Sequence, residues 1–162
     1  MAGEAIRVAS GKHTRRAELE AVRQVSLAAL IMLVVQYGLG ITLNLYIAVQ
    51  ASDAHAGLTQ EIANGPLMLT VHALLGLALI GAALVLLVRA VRLDDRVIAV
   101  LAAAGLTAIG GAFASGEIFV RNGQNGASLA MALLTGVALL CYIGALTRVS
   151  TALRRRSPGE QR

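Results

Sequence analysis

Apolar residues run in four long stretches along this chain, at about Val25–Val49, Leu67–Val88, Val97–Val120 and Leu129–Leu146. A helix that crosses a bilayer needs roughly 20 apolar residues, with a range of about 17–25. Each stretch meets that length, the last being the shortest. The segments between them are short and carry the Gly, Pro, Asn and Asp of turns. Pro66 stands directly before the second stretch, where a helix tolerates proline. The pattern predicts an all-α fold, an integral membrane four-helix bundle with spans 25–49, 67–88, 97–120 and 129–146 in a domain of residues 25–148. Residues 1–24 are expected to be a basic cytoplasmic N-terminal segment, and 149–162 a basic cytoplasmic tail. The stretch "TRRAELEAVRQVS", residues 14–26, reads as a helix leading into the first span.

Small polar residues recur on one face of each span at helical spacing. Leu33, Gln36, Gly40, Asn44 and Ile47 line up in the first, and Leu69, His72, Gly76, Leu79 and Ala83 in the second. Leu106, Gly110, Phe113 and Glu117 do so in the third, and Ser128, Met131, Thr135, Ala138 and Tyr142 in the fourth. Membrane helices pack through small residues and turn polar groups away from lipid. These stripes are therefore the expected inner faces, around a partly polar interior. A weak internal repeat aligns His72–Arg89 with Met131–Arg148, which makes His72 and Met131 equivalent, facing positions.

Composition supports the membrane reading. Of 162 residues, 57% are hydrophobic and only 14% charged, against roughly 25% charged in soluble domains. The formal net charge is +5. The basic residues cluster beside the apolar stretches, which points to orientation in a membrane and contact with lipid headgroups, not to nucleic acid. Arginines and a lysine occupy the N-terminal segment, the second loop (Arg89, Arg92, Arg96) and the C-terminal tail. The first loop has none and the third only Arg121. Positive charge stays inside, so the chain is expected in the cell membrane with both termini cytoplasmic. The first stretch is too long for a signal-peptide core of about 7–15 residues and reads as an uncleaved span.

Candidate chemistry centres on His72. At about 1.5 Å per residue it lies roughly 8 Å below the outer end of its span, with Asn44 about as deep and Glu117 shallower. The expected site is an outward-facing polar pocket of Gln36, Asn44, His72 and Glu117. Each has a plainer role open to it. Gln36 and Asn44 suit interhelical hydrogen bonds, His72 can tie two helices, and Glu117 can pair with Arg121 one turn on. A b-type haem or quinone-linked redox protein is one alternative, with His72 and Met131 as a His/Met cofactor-binding pair. A small proton-coupled transporter using His72 and Glu117 is another. No metal-ligand spacing, GxSxG, P-loop or CxxC is present. The lone cysteine, Cys141, cannot form an internal disulfide.

The segments "QYGLGITLNLYIAV", "HALLG" and "GAFASGEIFVRNGQNGASLAMALL" together resemble small four-span bacterial membrane proteins of uncharacterised function, over roughly Gln36–Leu134. The matching positions are Tyr37, Gly38, Gly40, Asn44, His72 and Gly76. The half-bundle is also similar to one half of haem A synthase-type proteins, without their paired histidines. The resemblance implies four spans and a cluster at these positions, and no chemistry. The expected role is an accessory or structural membrane component, in a homo-oligomer or a larger membrane complex.

Overall fold

The computed structural model describes residues 2–46, 67–122 and 124–155, with side chains described for 14–43, 45, 67–122 and 124–155. The described residues form four helices: α1 Ala2–Tyr46, α2 Leu67–Arg92, α3 Arg96–Asn122 and α4 Asn125–Arg154. All four are long and apolar enough to cross a membrane. The end of the first predicted span beyond Tyr46, and the whole first loop, lie outside the described residues.

Two helices run past the expected spans. α1 is one helix of 45 residues, so the "TRRAELEAVRQVS" segment is continuous with the apolar stretch. Its Leu19 and Val22 are buried in the core. α4 continues through Val149, which is fully buried, to Arg154. Both extensions follow the same physics. An apolar residue every three or four positions keeps one face dry after the helix leaves its most apolar stretch.

The helices form a ring in which α1 packs on α2 and α4, and α3 on α2 and α4, while the diagonal pairs make no close backbone contact. A tight turn joins α2 to α3. Leu93 is buried as its plug, and Asp94 takes a left-handed conformation (φ 54°). Asp is one of the few non-glycine residues that tolerate this region. Asp95 then caps α3, its carboxylate accepting from the backbone N–H groups of Val97 (3.1 Å) and Ile98 (3.3 Å). This turn end of the bundle is tied across helices by Arg89–Glu18 (3.4 Å) and Arg148–Asp95 (3.6 Å).

α3 and α4 make the most extensive contact, and its reason is glycine. A Cβ on Gly105 would stand 2.6 Å from Cε1 of Tyr142, whose ring is completely buried. Only the bare backbone leaves room for that ring. Gly105 belongs to an inward row with Ile98, Ala102 and Ile109. This corrects the expected face of α3 in part, since Leu106 does pack against the core. Gly110, placed inward by the sequence pattern, is exposed, with nothing within 4 Å of its Cβ position. A shift of one residue turns a helix by about 100°, enough to exchange lining for surface.

The core is alanine and leucine with few polar atoms. Leu33, Leu79, Leu86 and Tyr142 fill it, and Ala29, Ala83, Ala102 and Ala138 are fully buried among them. Among the described residues only Ser26 and Thr135 are buried polar side chains, so the interior is less polar than the pattern implied. The outside is apolar as well: Ile31, Val34, Leu74, Val100, Leu133 and Leu140 are all exposed. Helices that are apolar all round need a solvent that is apolar too. Thr42, Thr107, Thr147 and Thr151 each donate their hydroxyl to the carbonyl four residues back, which satisfies the hydroxyl without water.

Candidate functional site

Away from the turn end, α1 and α2 share a reciprocal contact. Each carries a polar residue four positions before a glycine: Gln36 and Gly40 on α1, His72 and Gly76 on α2. The helices run antiparallel, so each polar side chain comes to rest over the other helix's glycine. Gln36 Nε2 is 3.3 Å from the Cβ position of Gly76, and His72 Cε1 is 3.3 Å from that of Gly40. The Gln36 amide nitrogen donates to the backbone carbonyl of His72 at 2.9 Å. That carbonyl has a second lone pair beyond the one its own helix uses.

The contact leaves two atoms without partners. Gln36 Oε1 and His72 Nδ1 are both buried and unbonded. The amide orientation is determined by the bond to a carbonyl, which only the nitrogen can make, so the oxygen is the orphan. Leaving such a group unpaired costs about 1–3 kcal/mol. Both residues line a cavity of about 270 Å³ built by all four helices. Its wall is mostly apolar, with Leu33, Leu79, Phe113, Phe119 and Met131 prominent. Thr135 also lines it, but donates its hydroxyl to the Met131 carbonyl at 2.8 Å. The arrangement is an apolar cavity beside two unpartnered polar atoms, both shielded by the packing around them.

The residues expected at the site divide into three groups. Gln36, His72 and Met131 line the same cavity. His72 and Met131 come from helices diagonal in the ring, and each rests on a neighbour's glycine: the imidazole on Gly40, the Met131 sulfur 3.4 Å from the Cβ position of Gly116. Asn44 falls on α1, but its side chain lies outside the described ones. Glu117 is not part of the cavity wall. Its Oε1 accepts from Arg121 Nε at 2.6 Å, one turn along α3. The wall contributed by α3 includes Phe113 from the expected row, together with Ile109, Ala112 and Gly116. The signal for that row was present in the recurrence of Ala102, Gly105, Ile109 and Gly116 at helical spacing.

No protein-family profile, curated protein or solved structure matches this chain. The chemistry of the site is therefore read from its own atoms. Among the described residues, no group of three or more His, Cys, Asp or Glu side chains could hold a metal ion. Cys141 is free and half-buried on α4.

Proposed function

We propose that this chain is a multi-pass protein of the cell membrane, with both termini cytoplasmic, serving as an accessory membrane component. Its cavity around His72, in the outward half of the bundle, binds a small apolar molecule that carries one hydroxyl group. The unpartnered Gln36 Oε1 and His72 Nδ1, on two residues that line an otherwise apolar cavity, carry this reading, which requires a small side-chain rearrangement to present them to a ligand. A ligand O–H would donate to the Gln36 oxygen and accept from Nδ1 in its protonated tautomer. The apolar body would fill the space between the phenylalanines and leucines. The orientation is supported by the arginines at the turn end, which include Arg89, Arg92, Arg96 and Arg148.

The test is thermal unfolding of the detergent-purified protein with paired probes: phenol against benzene, and cyclohexanol against cyclohexane. The hydroxyl-bearing member of each pair is expected to raise the midpoint more than its hydrocarbon partner. Equal shifts within each pair, or none, would reject the hydroxyl site and leave the pair as a helix tie. A Soret band in the purified protein that disappears in His72→Ala would replace this reading with the haem-binding one.

A further inference from the structure

A second recess lies at the turn end, between the N-terminal half of α1 and the last turn of α4. Its volume is about 480 Å³, and it is lined by Arg16, Glu20, Arg23, Gln24, Leu27, Leu153 and Arg154. The α1 residues lie at successive turns of one helix face. Arg154 reaches the recess because α4 runs on past the predicted end of its span.

Several arginines at this end have no carboxylate partner among the described residues, and Arg23 and Arg154 are the two of them that line one recess. Arg89 is paired with Glu18, and Arg148 with Asp95. Within the recess Arg16 pairs with Glu20 at 3.2 Å, both being more than half exposed. Among the described residues, neither Arg23 nor Arg154 has a carboxylate partner. Three guanidinium groups therefore face one carboxylate, and two of the three are free to bind an anion. Guanidinium groups match phosphate oxygens by paired, parallel hydrogen bonds. Gln24 adds a neutral donor and acceptor on the same wall.

An apolar track starts where the charges stop. Leu27 is 47% exposed at the recess, and Ile31 (58%) and Val34 (61%) continue up the outside of α1 from it. A free phosphate would use the arginines and leave this track bare. A phospholipid would use both, its headgroup in the recess and an acyl chain along Leu27 and Ile31. Basic pockets between helices at the cytoplasmic face of a membrane suit anionic headgroups on general electrostatic grounds. We infer that the recess between α1 and α4 is a binding site for an anionic phospholipid, with Arg23 and Arg154 as its phosphate ligands. This site is independent of the cavity at His72.

The full-length protein in lipid nanodiscs, with and without phosphatidylglycerol in a phosphatidylcholine background, provides the test. Lipid retention is read by native mass spectrometry and stability by thermal unfolding. Phosphatidylglycerol is expected to be retained and to raise the unfolding midpoint. The R23Q/R154Q variant should weaken retention roughly 30-fold, the value for two cations at about 1 kcal/mol each. The R92Q/R96Q variant removes the same charge from the same end but outside the recess, and should retain the lipid like the wild type. Circular dichroism in phosphatidylcholine alone checks that both variants fold. Equal losses in the two variants would overturn the site in favour of diffuse charge attraction. No midpoint shift with phosphatidylglycerol would overturn it as well. Protection by glycerol phosphate in detergent equal to that by the lipid would replace it with a free-anion site.

Discussion

The imidazole of His72 lies against Gly40, with Cε1 3.3 Å from the point a Cβ would occupy. A side chain at position 40 therefore competes with the ring for one space. Gly40→Val is expected to destabilise the bundle by about 1–3 kcal/mol, the usual cost of overpacking. In a His72→Ala background that cost should fall by about 0.5 kcal/mol or more, because residues in contact couple. Thermal unfolding of the four-member cycle measures this. Strictly additive effects would mean that the two positions do not meet.

Gly105 and Gly110 make a matched pair of probes on α3. Gly105→Ala forces a methyl group into the buried Tyr142 ring and should cost about 1–3 kcal/mol. Gly110→Ala meets open space and should be neutral, or stabilising by up to about 1 kcal/mol through helix propensity. The reverse order in unfolding midpoints would return the inward face of α3 to Gly110.

Gln36→Leu removes one hydrogen bond, 2.9 Å to the His72 carbonyl, and one unsatisfied buried oxygen. A hydrogen bond contributes about 0.5–1.5 kcal/mol, and an orphaned buried acceptor costs about 1–3. The two changes offset, so unfolding stability should stay within about 1 kcal/mol of wild type. The preference for phenol over benzene should nevertheless vanish. Retention of that preference would remove Gln36 from the site.

Glu117 pairs with Arg121 at the bundle surface, with side chains 26% and 57% exposed. Such a pair contributes at most about 1 kcal/mol. Glu117→Gln should therefore lower stability little and leave probe binding at the cavity unchanged, since the residue does not line it. A loss of phenol binding in this variant would join Glu117 to the site after all.

Orientation can be read with single cysteines in a Cys141→Ser background. A cysteine replacing Asp94, in the α2–α3 turn, should be labelled by an impermeant maleimide only from the cytoplasmic face. One replacing Asn125, at the start of α4, should be labelled only from outside. The opposite pattern would invert the proposed topology.

Several features of the molecule follow from residue order alone. Four apolar stretches of sufficient length become four helices, because a buried or lipid-facing backbone must satisfy its own hydrogen bonds. The spacing of Gln36 to Gly40 and of His72 to Gly76 puts each polar residue on the same helix face as a glycine, which the reciprocal contact requires. Asp94 and Asp95 mark the α2–α3 turn by their own backbone chemistry.

What the tertiary structure alone decided is which way each helix faces and what each polar atom meets. α3 carries small residues on more than one face, so in its sequence the Ala102, Gly105 and Ile109 row and the side of Gly110 compete as lining. The bulk of Tyr142 on α4 selects Gly105, and with it the rotation of the whole helix. That rotation carries Gly110 to the surface and Glu117 off the cavity wall. The orphaned oxygen of Gln36 and nitrogen of His72 are likewise a property of packing. Both groups are written in the sequence, but whether a neighbour satisfies them depends on distances that exist only once the four helices have closed into a ring.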